Sequence, residues 1–518
     1  MDLQPYLPYL TKWYSIAAIL FIVYYGITFI KRSIYIRKHG CKEAPVFCYA
    51  GIFSIPLTSR LVKSRNQGYL ADYIYEMYRA MGCESFLIYL FGVRVVCTFD
   101  PENIKAVLAT QFNDFALGIR HAHFLPLLGD GIFTLDGEGW KQSRTMLRPQ
   151  FAREQVAHVR SLEPHIQVLF KLIDSAGDKT INIQDLFFKY TMDTATEFLF
   201  GQSVNSLSDD IPGYVSPVDF EGRKEFSHAF NTSQAYLGSR AYSQIFHFMI
   251  NNKEFKNCNK IVHKFTQYFV QKALNASPEE LEKLSSEGYT FLYELAKQTR
   301  NPQVIQDQIL NILLAGRDTT AGILSFAFYE LSRNPRVLEK LKQEIHDTFG
   351  QGEDAQVEEI TFESLKKCEY LKFFINEMLR LYPSVPVNFR TATKETTLPR
   401  GGGPDGQSPL YVAKGTTVAY SVYVTHRLEE YYGKDALEFY PERWANLSKL
   451  GWAYVPFNGG PRICLGQQFA LTEISYTITR ILQTYSKVEL RDTAPYPPKK
   501  AVHLTMCHQD GVFVSLKK

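Results

Sequence analysis

From Trp13 to Ile30 the chain runs 18 residues without a charge, most of them apolar, and Lys31-Arg32 closes the run. As a helix, such a run just crosses a hydrocarbon layer about 30 Å thick. Trp13, Tyr14, Tyr24 and Tyr25 are aromatics of the kind that sit at a membrane interface. Lys12 precedes the run, whereas Lys31, Arg32, Arg37, Lys38 and Lys42 follow it, and no small-x-small cleavage pattern is present. A cleaved signal peptide is the alternative reading, but its charge stands in front of its apolar core. The pattern therefore predicts a retained single anchor, with its helix at about 13–30. Residues 1–42 form the anchor and its basic juxtamembrane segment, and residues 43–518 the body. The positive-inside rule puts that body on the cytosolic side and the first dozen residues in the lumen.

Beyond the anchor, Gly40 and Pro45 mark a linker. Leu87 to Thr98 is rich in β-branched and aromatic residues and breaks at Gly92, which predicts two short strands. Asp100-Pro101-Glu102 opens a helix, with Asp100 as N-cap and Pro101 in the first position. Residues 156–300 carry amphipathic helical spacing, with loops near Ser206–Pro217 and Asn275–Gly288. From Asn301 to Arg333, Ile305, Ile309, Ile312, Leu313 and Gly316 recur at helical intervals until Asn334-Pro335 ends the run. A helix of that length crosses a core. Tyr370 to Leu381 is another helix, stopped before Pro383, and Gln467 onward opens a further one. The chain reads as mainly α with a small β portion.

Composition changes this picture little. At 45% apolar and 21% charged the chain is ordinary globular material, and 518 residues make two or more domains the default expectation. The net charge of +4 is concentrated at the front, where residues 1–42 hold six Lys or Arg against one Asp. The body is close to neutral, and nothing in it points to nucleic acid. Eight scattered cysteines without a C-x-x-C pair argue against a disulfide scaffold and a structural zinc site, and for a reducing compartment.

Candidate chemistry centres on Phe457–Gly466, F-N-G-G-P-R-I-C-L-G. A helix N-terminus, backbone N–H groups and Arg462 around Cys464 favour a thiolate, the form that binds a metal. The plainer reading is a Gly-Pro turn with a buried free thiol. Trp140 and Arg144 share a helix face and could reach one anionic group, though a packed Trp beside a solvated Arg has the same spelling. On the long helix, Ala315-Gly316-Arg317-Asp318-Thr319-Thr320 combines a small residue with hydroxyls able to bond back to the main chain. Glu377 and Arg380 sit at i, i+3 among apolar neighbours.

Taken in order, these segments resemble the cytochrome P-450 family, whose haem-binding loop Phe-x-x-Gly-x-Arg-x-Cys-x-Gly is complete here. The resemblance runs from the anchor to the C-terminus and implies one large helical catalytic domain behind a single N-terminal transmembrane helix. It implies haem, iron protoporphyrin IX, with Cys464 as axial ligand and Phe457 in the loop. Trp140, Arg144, Arg390 and Arg462 match positions that contact haem propionates, and Leu128–Phe133 the loop lying over the haem. Thr319 and Asp318 match the oxygen-activating pair, the first hydrogen-bonding the oxygen being activated and the second relaying protons. Glu377, Arg380 and Arg443 match the structural Glu-x-x-Arg triad. Lys141, Arg148 and Arg153 make the neighbourhood of Trp140 basic, suiting an acidic redox partner.

The spelling Arg317–Gly322 and Phe457–Glu473 further resembles the P-450s of alkane-assimilating yeasts. That implies an endoplasmic reticulum enzyme hydroxylating n-alkanes, fatty acids or both at the terminal carbon. It would use O2, electrons from NADPH–cytochrome P-450 reductase, and substrate drawn from membrane lipid. Leu313, Leu314, Ala315, Val385, Val387, Phe389, Leu504, Thr505 and Met506 are the corresponding cavity walls. Within the same family a sterol or xenobiotic hydroxylase stays open, as do a thiolate-haem isomerase or dehydratase and a non-catalytic haem carrier.

Overall fold

Pro302–Leu331 forms the long helix. Asn301 Oδ1 accepts the N–H groups of Gln303 at 3.0 Å and Val304 at 3.3 Å, and Pro302 stands in the first turn, where no donor is needed. Pro335 opens the next helix, Pro335–Phe349. In this computed structural model, residues 12–47, 54–90, 92–151, 159–211, 213–214, 222–287, 289–447, 449–493 and 495–518 are described. The long helix is buried on nearly every face, as its apolar composition requires. Around it pack the helices Ile183–Phe200, Lys253–Asn275 and Gln467–Thr484. At Gly322 a Cβ would lie 2.5 Å from the Met506 carbonyl oxygen, so only glycine lets the hairpin of Lys500–Val502 and Met506–His508 rest directly on the helix.

The main sheet has five strands in the spatial order Ser85–Leu90, Val93–Thr98, Thr417–Tyr420, Asn388–Ala392 and Phe115–Ala116. Its first two strands are the hairpin expected around Gly92, which has φ +81°. Thr417–Tyr420 runs parallel to Val93–Thr98 and antiparallel to Asn388–Ala392, placing Phe389 opposite Ala419 and Arg390 opposite Val418. The helix after it begins as anticipated, with Asp100 Oδ1 accepting the Asn103 N–H at 2.8 Å.

Three expectations need correction. The N-terminal helix is Trp13–His39, longer than the apolar run, and ends on Gly40 at φ 59°. Residues 42–47 are not a free linker. Lys42 N–H donates to Pro409 O at 2.8 Å, Lys42 O accepts from Tyr411 N–H at 2.8 Å, and Pro45 O accepts from Leu87 N–H at 2.7 Å. Arg32 and Glu43 pair at 2.6 Å, so the helix end is tied to the sheets by backbone edges that composition does not reveal. Within the expected loop Asn275–Gly288, Pro278–Glu287 is helical. Its signal was Ser277-x-x-Glu280: Glu280 N–H donates to Ser277 Oγ at 3.2 Å and Ser277 N–H to Glu280 at 2.7 Å, a reciprocal cap. Arg153 and part of Ser206–Pro217 lie outside the described residues.

The helix Glu369–Leu381 carries the ionic core. Glu377 and Arg380 are both fully buried, 2.8 and 2.9 Å apart through two N–H donors. Arg443 Nε reaches the same carboxylate at 3.0 Å, Trp444 Nε1 at 3.0 Å and the Tyr440 N–H at 2.9 Å. Arg380 also donates to the carbonyls of His426, Ala436 and Glu438. This network ties one helix to the segment that leads into the Cys464 loop.

Candidate active site

Gln467–Thr484 starts just after Cys464, so the cysteine precedes a helix N-terminus as its sequence predicts. Cys464 N–H donates to the Phe457 carbonyl at 3.0 Å, which closes the loop. Gly460, at φ +66°, and Gly459 are needed by protein neighbours: a Cβ would lie 2.0 Å from Leu108 O at the first and 2.3 Å from the Trp452 ring at the second. Protein encloses Cys464 while its surface opens into a cavity of about 780 Å³. Burial raises the thiol's pKa, and the Gly466 N–H and Arg144 only partly oppose it. The local field therefore does not by itself lower the thiol's pKa, as the helix start, the backbone N–H groups and Arg462 were expected to do.

Beside the loop lies a cluster of arginines. Arg462 donates to Asp136 at 2.7 Å and to Leu135 O at 2.9 Å, and its guanidinium lies 4.5 Å from the Trp140 ring centre. Arg144 is one turn from Trp140 on the helix Gly137–Leu147 and donates to Ile463 O at 3.0 Å. Arg390 is buried and donates to Phe389 O at 2.8 Å. Arg120 was missed in the sequence; it donates to Asn388 Oδ1 at 2.6 Å and to Phe389 O at 3.1 Å. Burial, then Arg390, pushes Arg120 down to about 9 and Arg462 to about 10. Among the described residues no carboxylate comes within ion-pair distance of Arg120 or Arg390. Buried like charges left unpaired are costly, so this rim is built for an anionic group. All four arginines and Trp140 line the cavity that Cys464 enters. A flat cofactor with acidic side arms and a thiolate-binding iron fits that donor set.

Opposite the loop, Ala315, Gly316, Thr319 and Thr320 of the long helix line the same cavity. Outside the helix's own backbone and the adjoining residues, no atom lies within 4 Å of where a Gly316 Cβ would stand. Thr319 Oγ1 donates to Ala315 O at 2.7 Å, the back-bond expected of it. Asp318 is not among the lining residues. It is buried against Arg317, 2.9 Å away, and accepts from Gln234. Its pKa is raised by burial, opposed by Arg317 and Gln234. The structure thus brings Thr319 to Cys464's cavity and holds Asp318 one residue behind it.

Of the walls expected from sequence, Leu314, Ala315, Val385, Val387, Phe389, Leu504 and Thr505 line the cavity. Leu313 and Met506 do not; both are fully buried in the apolar core, on helix and strand faces turned away. Two further side chains went unread. Asn311 accepts the Phe133 N–H at 3.1 Å and donates to Leu128 O at 2.9 Å, while Asp307 accepts the Asp130 N–H at 2.8 Å. Together they fasten the Leu128–Phe133 loop to the long helix. Asp307 and Asn311 lie one turn apart there, a spacing that could have marked them.

Glu473 is a third. It accepts from Thr194 at 2.7 Å and bonds Thr320, and burial pushes it up to about 7. A folded pKa above the unfolded value means its contribution is intact below about 4.5 and is lost as pH rises through about 7. Glu473→Gln should match the wild type in thermal stability near pH 4 and exceed it at pH 8, by at most about 3 kcal/mol. Melting curves across that range check this; a constant difference would mean Glu473 stays ionised.

A cysteine loop facing a cavity, an arginine rim and a threonine-bearing helix around that one space are the parts of a haem-thiolate enzyme. The chain belongs to the cytochrome P450 family, whose profile, described as Cytochrome P450, matches residues 53–514. It is 66% identical over 509 residues to Cytochrome P450 52A13 of Debaryomyces hansenii, covering 98% of each chain. To Cytochrome P450 52A3-B of Candida maltosa it is 60% identical over 518 residues, covering 99% of each. The fold is also that of the cytochrome P450DA heme domain, with a TM-score of 0.72 at 20% identity, over 92% of this chain and 96% of that one. It is therefore a haem-dependent P450 monooxygenase. Among the described residues one helix, Trp13–His39, is long and apolar enough to cross a membrane.

Proposed function

We propose that this enzyme hydroxylates long aliphatic chains, n-alkanes and fatty acids, at the terminal carbon. The observation that carries the reading is the cavity itself: about half of its lining residues are Leu, Ile, Val and Phe, and it runs from Cys464 to the helix Ile55–Asn66 near the N-terminal segment. Such a cavity takes a flexible hydrocarbon. The balance is one C–H, one O2, two electrons and two protons converted to one C–OH and one water, with the electrons coming from NADPH through a P-450 reductase of the same membrane. Trp13–His39 anchors the enzyme in the endoplasmic reticulum, where substrates partition. Lys141 and Arg148, exposed beside the Cys464 loop, suit an acidic donor surface.

Cys464 would supply the thiolate that holds the haem iron, Arg144, Arg390, Arg462 and Arg120 would neutralise the haem's two acidic side arms, and Trp140 would donate a hydrogen bond to one of them. Haem held there supplies oxygen activation and C–H oxidation. The Thr319 hydroxyl, freed from Ala315 O by one rotation, presents a proton to the cavity. Asp318 restores that proton when its carboxyl turns from Gln234. Phe389, Val385 and Val387 narrow the approach so that a chain enters methyl end first, which the stronger C–H bonds of a methyl group make necessary.

Thr319→Ala should retain haem and substrate binding yet divert reducing equivalents to hydrogen peroxide, with product per NADPH falling several-fold. Peroxide and product are counted together against NADPH consumed. Full coupling in that variant would leave Thr319 as packing only. For the substrate class, adding hexadecane or hexadecanoic acid should shift the ferric haem toward high spin, and cholesterol should not.

A further inference from the structure

At its far end the cavity passes between the helix Ile55–Asn66, the end of Arg223–Tyr242 and the hairpin tip at His503–Thr505. One cation faces it there. Arg65 Nε donates to Val502 O at 3.4 Å, Nη2 lies 3.3 Å from His503 Nδ1, and the guanidinium stands 4.5 Å from the Tyr242 ring centre. Among the described residues no carboxylate is within ion-pair distance of it, and most of its five N–H donors have no protein partner. The other arginines lining the cavity, Arg120, Arg144, Arg390 and Arg462, crowd the Cys464 end and act on one another or on the thiol. Arg65 acts instead on Tyr242 and His503. Burial and Arg65 both lower the His503 pKa, so His503 is neutral at pH 7 and accepts from the guanidinium. The result is a long apolar space with its catalytic cysteine at one end and one fixed cation, short of an anion, at the other.

We propose that Arg65 binds the carboxylate of a fatty-acid substrate, holding the acid head at the mouth while the methyl end reaches the face above Cys464. The proposal rests on the aliphatic-chain reading given above. A guanidinium offers a carboxylate two parallel N–H donors, and the Tyr242 ring fixes its plane. Chain-end selectivity for acids then follows from two constraints, a pinned head and a narrow approach to the iron. An alkane has no head group, so its binding does not involve Arg65.

The test is ferric spin-state titration of the full-length haem-loaded protein with hexadecanoic acid and with hexadecane. Arg65→Leu should weaken acid binding about tenfold or more and leave the alkane unchanged, while Arg65→Lys regains part of the acid affinity. Unchanged acid affinity in Arg65→Leu would overturn the proposal. Equal weakening for acid and alkane would overturn it too, making Arg65 a packing residue of the mouth. If the wild type responds to neither chain, the aliphatic-substrate reading fails and this proposal with it.

Discussion

Cys464→Ala is expected to abolish the thiolate-type ferrous–carbon monoxide spectrum and all turnover, while Cys97→Ala and Cys368→Ala keep both. Cys97 also touches the cavity, so position alone does not choose between them. Chemistry does. Burial raises Cys97 to about 12 and Cys368 to about 11, and no cation or backbone donor opposes it at Cys97. Cys464 has the Gly466 N–H and Arg144 beside it, and the arginine rim nearby to receive the propionates. Alanine removes the iron ligand without disturbing the loop, whose closing bond is made by the Cys464 backbone N–H. A normal carbon monoxide spectrum from Cys464→Ala would place the ligand elsewhere.

Glu377→Ala should cost more stability than any other single change considered. It strips the fully buried Arg380 and the nearly buried Arg443 of their shared carboxylate and leaves the Trp444 and Tyr440 donors unanswered. Breaking a buried ion pair from one side costs about 3–5 kcal/mol, against a total of about 5–15 kcal/mol for a folded domain. Little haem-loaded protein should survive at 37 °C, and Glu377→Gln should fall between. Glu138→Ala, which removes the exposed partner of Lys141, should change stability by less than about 1 kcal/mol. Thermal unfolding followed at the haem band measures all three; equal melting points would mean the triad is not what holds this scaffold.

How far the sequence went depends on the kind of signal. Periodicity and caps located the long helix and the Gly92 hairpin, because those are local patterns. The Cys464 loop and Trp140–Arg144 stayed open on their residues alone and were legible through the family resemblance, because each is a contiguous motif or lies on one helix turn, while their partners are distant in sequence. Arg120 was invisible: its role comes from Asn388 and Phe389, more than 260 residues away, delivered by strand pairing. Arg65 was hidden likewise, since Tyr242 and His503 reach it only in three dimensions. Residues 42–47 read as a linker because their hydrogen bonds run through backbone groups, which carry no side-chain spelling. Leu313 and Met506 were misplaced as walls because a neighbour one residue along a helix or strand points elsewhere.

Chain-end chemistry is the central claim, and product analysis tests it most directly. Membranes containing this protein and a P-450 reductase, given NADPH, O2 and a mixture of hexadecane, hexadecanoic acid and a sterol, should yield products oxidised at the terminal carbon of the straight chains and leave the sterol untouched. Mid-chain alcohols, or hydroxysterol as the main product, would contradict it.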